Sequence, residues 1–268
     1  MYMADATYVD FLQRHGGDAN YGIRQAVCAI FLVSHPYDNS VDARQNKRLC
    51  CYATIFLMND RAQTLGEEIA NSVSHGVALL AALIAAPFLI YSARHLTAAS
   101  IVGAVVFSVT MALLYLSSTL YHALPQGRAK RVFNKLDHSA IYLFIAGSYT
   151  PFALGVLGGA WGWTLFGLVW SMAAAGVLLK AFDRLSHPWL STGLYLLMGW
   201  LVLIAAVPLV ERMPSGGVTL LVAGGLAYTA GVVFFVLDSR WRYAHAIWHA
   251  FVVAGSACHF FAVLLFAA

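Results

Sequence analysis

Seven apolar runs, each roughly 18 to 23 residues long, fill the chain from residue 70 to its end, and each can cross about 30 Å of hydrocarbon as a helix. They are Ala70 to Tyr91, Ser100 to Leu124, Leu136 to Leu157, Trp161 to Ala181, Trp189 to Leu209, Gly217 to Leu237 and Ala244 to Phe266, separated by Gly, Pro or charge. Strands do not fit, because these are continuous Leu/Ala/Val/Ile stretches, whereas a membrane barrel alternates apolar and polar residues. Across 268 residues, 60% are hydrophobic and 10% charged, and the mean hydropathy is +0.72. That is too apolar for a soluble globule of this size. The expected fold is all-α: a seven-helix integral membrane bundle, multi-pass in the cell (inner) membrane.

The basic residues orient it. The second, fourth and sixth connections carry Arg128, Lys130, Arg131 and Lys135, then Lys180 and Arg184, then Arg240 and Arg242. The first and fifth carry only Arg94 and Arg212, and the third none. Short basic loops stay in the cytoplasm, so the N-terminus is expected inside and the C-terminus outside. The net charge of +4 then reflects topology and contact with anionic lipid; nucleic acid is not an expected partner, since the cations flank helix ends rather than forming a stripe.

Residues 1 to 63 form an N-terminal extension to the membrane domain of 64 to 268. Up to residue 60 they mix acidic and basic side chains without helical or strand periodicity, and two readings stand: a disordered cytoplasmic tail, or translation that starts near Met58. Two short apolar pieces, Ala26 to Val33 and Cys51 to Met58, cannot span, and neither precedes a convincing signal-peptide cleavage site. Three of the four cysteines, Cys28, Cys50 and Cys51, lie there and Cys258 lies alone in the last run, so neither a disulfide framework nor a paired-cysteine metal site can be built.

Ionisable groups inside spanning helices are costly and point to function. His122 lies near the cytoplasmic end of the second helix. Asp137 is expected to open the third from the same side, and His245 and His249 occupy the first turns of the seventh, which also starts inside. Four groups from three helices thus reach one depth. Residues four apart share a helix face, about 6 Å apart in rise, so His245 and His249 can grip one ion. Ser118 stands at the same spacing from His122 and can orient it or hydrogen-bond a metal-bound water.

Three imidazoles with a fourth position open to water are the pattern of a catalytic Zn²⁺ site, which brings the water's pKa toward ~7. Asp137, a ligand directly or through water, is then the natural general base. A plainer reading is also open: juxtamembrane histidines packed at headgroup depth, and an aspartate favoured at a helix N-terminus by the macrodipole.

Other polar residues rank lower. His75 near the start of the first helix, with Asn71 a turn earlier and Glu67 and Glu68 before it, reads as an orienting or capping group. His259 returns to the face of His245 about 21 Å along the axis and cannot reach the same ion. His138 points about 100° from Asp137, toward the headgroup surface. Pro151 is expected to kink the third helix, with Ser148 or Thr150 meeting the freed backbone groups. Glycines such as Gly167, Gly176, Gly193, Gly199, Gly224, Gly231 and Gly255 are expected at close helix contacts. Trp161, Trp163, Trp189, Trp241 and Trp248 are expected in an interfacial belt.

Several blocks together resemble a known family. Glu67-Glu68-Ile-Ala-Asn71-Ser-Val-Ser-His75, Ser117-Ser118-Thr-Leu-Tyr-His122, Lys135-Leu-Asp137-His138-Ser139, Gly147-Ser-Tyr-Thr-Pro151-Phe152 and His245-Ala-Ile-Trp-His249 are similar to the bacterial haemolysin III proteins. Those belong with the progestin and adipoQ receptors, adiponectin receptors included, in a superfamily that also holds alkaline ceramidases. The resemblance covers residues 64 to 268. It implies zinc at the cytoplasmic side, surrounded by Ser118, His122, Asp137, His245 and His249. On activity it points several ways, since the superfamily includes lipid amidases, receptors and a branch named for haemolysis. Between His245 and His249 stand Ala246, Ile247 and Trp248, with no glutamate of the HExxH kind.

The leading expectation is a zinc-dependent hydrolase of lipid amides or esters, of ceramidase type, with Asp137 and Ser118 as catalytic residues and a lipid substrate entering from the bilayer. The alternative is a non-enzymatic membrane or lipid sensor, receptor-like, with structural zinc. Cytolysis is the third reading, disfavoured as a primary mechanism because a secreted pore-former is soluble before insertion. Membrane lipids are the expected partners, and oligomeric state is left open.

Overall fold

A computed structural model describes residues 61–185 and 188–267; the expectations for residues 1 to 60, including Cys28, Cys50 and Cys51, lie outside the described residues. Seven apolar helices make up the bundle: α1 Leu65–Ala93, α2 Ala98–Ala123, α3 Arg128–Leu157, α4 Gly159–Ala181, α5 Trp189–Arg212, α6 Ser215–Val236 and α7 Ala244–Phe266. No strand occurs among the described residues. Hydrocarbon offers no partner for a bare N–H or C=O, so a spanning segment must satisfy its backbone within itself. Helices α1 to α4 pack in chain order, α6 packs on α7, and α7 returns to α1. The hub is α3, whose most apolar stretch is 67% buried against 11% for α6.

Two helices, α1 and α3, start a turn or more before their apolar runs, and both starts bear on the site. Thr64 caps α1 in a reciprocal box: its hydroxyl accepts from Glu67 N (3.4 Å), and the Glu67 carboxylate accepts from Thr64 N (2.9 Å). On the buried face of α1, Glu67, Asn71, His75, Ala78 and Ala82 follow one another at helical spacing. Val73, Val77, Leu80 and Ile84 face outward. In α3 the expected loop from Arg128 to Lys135 is helical, because its charges and apolar residues are arranged at helical period: Arg131 and Lys135 project outward, and Lys130 is buried against Glu68. Asp137 therefore lies roughly two and a half turns inside α3, not at its N-terminus, and the macrodipole does not account for it.

Pro151 alters α3 as expected, and the form is a π-helical stretch, Pro151–Leu157. Its wider turn appears in the bond from Gly158 N to Ala153 O (2.9 Å). Ser148 and Thr150 bond Ile145 O (2.8 Å) and Ala146 O (3.0 Å) instead of the Gly147 carbonyl opposite the proline nitrogen. The α2 backbone lies so close to Pro151 that a Cβ on Gly103 would stand 2.7 Å from Pro151 Cα, so a side chain there would push the two helices apart. Close contacts are likewise found at Gly176, Gly224, Gly231 and Gly255, whereas Gly167, Gly193 and Gly199 have no neighbour within 4 Å of a built Cβ. Helix packing does not explain those three.

The fifth helix is broken near its middle: regular helix ends at Gly199, a 3₁₀ stretch covers Leu201–Ala205, and α-helix resumes at Ala206. Tyr149 of α3 patches the break. Its hydroxyl donates to Gly199 O (2.6 Å), also lies 2.9 Å from Met198 O, and accepts from Val202 N (2.9 Å). Tyr149→Phe leaves these groups unpaired in a water-poor layer. We expect a loss of about 1–3 kcal/mol, read as a lower thermal-unfolding midpoint in detergent; an unchanged midpoint would show that the break satisfies itself.

A candidate metal centre at one end of the bundle

His122 from the end of α2, and His245 and His249 from the start of α7, meet at one end of the bundle. One ring nitrogen from each lies within 4.8 Å of the others. The ring centroids are 5.0 Å apart for His122–His245, 5.2 Å for His122–His249 and 4.7 Å for His245–His249. His122 and His249 are buried and His245 half-buried.

The tautomers follow from the partners. His122 Nδ1 lies 2.8 Å from a Glu68 carboxylate oxygen, His245 Nδ1 2.9 Å from an Asp238 carboxylate oxygen, and His249 Nδ1 3.2 Å from the Asn71 carbonyl and 3.0 Å from Ser74 Oγ, whose own proton goes to Asn71 O (2.8 Å). The carboxylate and carbonyl oxygens accept, so Nδ1 is the donor in each pair, and a ring that carries that proton alone offers its lone pair at Nε2. His122 Nε2 is buried with no hydrogen-bond partner. Three neutral imidazoles oriented through Nδ1, with a buried nitrogen left unsatisfied, fit a bound divalent cation and are a costly arrangement without one.

The supports come from the helix ends. Glu67 closes the α1 capping box and also accepts from Tyr243 N (2.9 Å). Tyr243, with φ +60°, is the left-handed residue at which the chain turns into α7. One carboxylate thus fixes the start of α1 and the start of the helix carrying His245 and His249. His75 stacks on His249, centroids 3.5 Å apart and planes 10° from parallel. It is not in the metal-ligand group, and neither of its nitrogens has a partner.

Beyond the histidines opens a cavity of about 130 Å³, walled by Leu114, Phe144, Trp200 and Val252 among others, with Ser118, Asp137, His245 and His249 on its surface. Asp137 and Ser118 are buried beside the histidines and outside the group of mutually close ligand atoms. Ser118 Oγ is within electrostatic reach of Asp137 but closes no well-formed hydrogen bond. His259 lines the same cavity, its Nε2 3.3 Å from Leu221 O and its ring against Tyr228.

Two sequence expectations change here. His138 is half-buried on the cavity wall, with Nδ1 2.8 Å from Asn134 O, because the longer α3 carries it below the helix end. Trp248 lies against Phe235 and lines the cavity, while Trp161, Trp163, Trp189 and Trp241 are exposed as a belt requires.

The sequence reading missed the roles of Glu68 and Asp238. Glu68 carried a legible signal, being an acid in the first turn of a spanning helix on the side of Asn71 and His75. Asp238 did not, since a turn between α6 and α7 separates it from His245 and no helical register crosses a turn. We expect Asp238→Asn, which removes the charge that orients His245, to weaken metal affinity about 10–100-fold in a chelator-competition titration. An unchanged affinity would mean that His245 is held by packing alone.

Fold and site define a polytopic membrane protein with a buried three-histidine centre. The sequence profile of the family described as "Haemolysin-III related" matches residues 63–260, and the chain belongs to that family. It is 43% identical to Hemolysin-3 of Bacillus cereus over 210 residues, covering 78% of this chain and 95% of that protein. To the Hemolysin-3 homolog of Bacillus subtilis (strain 168) it is 45% identical over 207 residues, 76% of this chain and 95% of the relative. The human Monocyte to macrophage differentiation factor is a more distant relative, 28% identical over 222 residues, 77% and 90% of the two chains. No solved structure gives a significant match.

Proposed function

We propose that this protein is a zinc-dependent hydrolase of lipid amides or esters, with its centre near the cytoplasmic face. The carrying observation is the set of three histidines, each with Nδ1 engaged by Glu68, Asp238 or the Asn71 carbonyl, at the polar end of an otherwise largely apolar cavity. Their Nε2 atoms supply the neutral nitrogen donors that zinc favours, and three protein ligands leave a position open. Bound zinc contributes Lewis acidity and makes a water nucleophilic at neutral pH.

The remaining work falls to the protein's own groups. The Asp137 carboxylate accepts a proton from the attacking water and returns it to the leaving amine or alkoxide. The Ser118 hydroxyl, without a hydrogen bond of its own, is available to orient the water or the substrate carbonyl. Leu114, Phe144 and Val252 bind the acyl chain and keep bulk water from the reacting bond. A substrate this apolar enters from the bilayer.

The test is release of fatty acid from N-acyl and ester lipids by the purified protein, stopped by chelation and restored by zinc. Zinc-loaded protein inactive on both classes would overturn the hydrolase reading. A sensor with structural zinc is then the better account. It is favoured by one feature: the ligands sit on α2 and α7 and their anchors Glu68 and Asn71 on α1, so a bound ion fastens three helices together.

A further inference from the structure

A second, larger pocket of about 510 Å³ lies on the other side of Glu68 from the histidines, and its lining is basic. Four cations, Lys130, Arg131, Lys135 and Lys180, face two carboxylates, Glu68 and Asp183. The carboxylates are already taken. Glu68 pairs with Lys130 (2.9 Å) and Asp183 with Lys135 (2.6 Å). Lys130 is further fixed by the carbonyls of Tyr121 (3.1 Å) and Leu124 (3.2 Å).

Arg131 and Lys180 are therefore surplus. Lys180, which also feels the Asp183 carboxylate, makes only a long hydrogen bond to Leu185 O (3.4 Å), and the exposed Arg131 guanidinium has neither ion pair nor hydrogen bond among the described residues. Asn134, Gln126 and Tyr121 add polar groups to the same walls. The pocket lies where α2 ends and α3 begins, beside the end of α4, at the level where an apolar span gives way to headgroups. A cavity with two unneutralised cations at that depth attracts a phosphate, and a planar guanidinium can grip it with two parallel bonds.

The geometry points to this pocket as a binding site for a phosphate-bearing anion, the headgroup of an acidic phospholipid, held by Arg131 and Lys180. The assignment is independent of the hydrolase reading, because it needs neither metal nor turnover. Soluble phosphate shares the chemistry, and the pocket's place at the ends of three apolar spans, α2, α3 and α4, favours the lipid as its source.

The experiment uses the delipidated full chain in detergent and reads lipid adducts by native mass spectrometry. The probes are phosphatidylglycerol, phosphatidylcholine and inorganic phosphate. Phosphatidylglycerol should be retained over phosphatidylcholine, with its affinity falling about fivefold in Arg131→Gln and about 25-fold in Arg131→Gln/Lys180→Gln. Arg94→Gln, at the opposite end of α1, should leave it unchanged. Millimolar inorganic phosphate that displaces the lipid would support the phosphate chemistry and show that both sources reach the site. Equal retention of the two lipids, or an affinity unmoved by Arg131→Gln, would overturn the proposal. Arg131 is exposed, so that variant tests the site even where the double variant folds poorly.

Discussion

Elemental mass spectrometry of the detergent-purified protein is expected to read about one zinc per chain, and none after His245→Ala together with His249→Ala. The loss should be complete because the pair supplies two of three protein nitrogens from one helix face, and His122 alone, held by Glu68, is a single donor. His245→Ala by itself should leave a weak two-nitrogen site. The result differs in kind from that for Asp238→Asn, which keeps all three donors and loosens only one. The double variant also removes the ring on which His75 stacks, so its folding is to be checked by its elution as a single species. Metal-free wild type, prepared without chelator, would sink both the hydrolase and the structural-zinc readings.

Asp137→Asn should then abolish turnover while zinc remains. The expected fall is about 10²–10⁴-fold in kcat, the range for loss of a general acid–base. Asparagine nearly matches the carboxyl in shape, and Asp137 lies outside the ligand group, so metal content should stay near wild type. Zinc lost in parallel with activity would make Asp137 a ligand, and activity retained would leave the base elsewhere. The sequence offers no substitute between the paired histidines, where Ala246, Ile247 and Trp248 stand.

Much of the fold was legible because a hydrocarbon layer permits so little. Runs long enough to cross had to be helices, and all seven spans stand where the apolar runs lie. The errors in the bounds of the spans fall at helix ends, where hydropathy is silent. The capping box at Thr64 lengthens α1, and the cationic opening of α3 stays helical because Lys130 is paired with Glu68 while Arg131 and Lys135 project outward. Those ends matter, since they move Asp137 inside α3 and draw His138 onto the cavity wall.

The histidines could be placed at one depth from chain direction alone, because the distance of a residue from a helix end fixes its height. Helical period put His245 and His249 on one face, and Ser118 and His122 on another. What height and period cannot supply is the azimuth of one helix about its neighbour, and that is decided by packing: Gly103 against Pro151, Gly255 against Tyr228, Glu67 holding Tyr243. From that packing come the Nδ1 partners Glu68 and Asp238, the stacking of His75 on His249, and the basic pocket behind Glu68. The sequence by itself determined a seven-helix membrane protein, through the bilayer's demand that every span satisfy its own backbone, and the common level of His122, His245 and His249. Only the tertiary structure decided which side chains meet, because contacts between distant segments depend on how the helices are rotated and packed, and no local pattern records that.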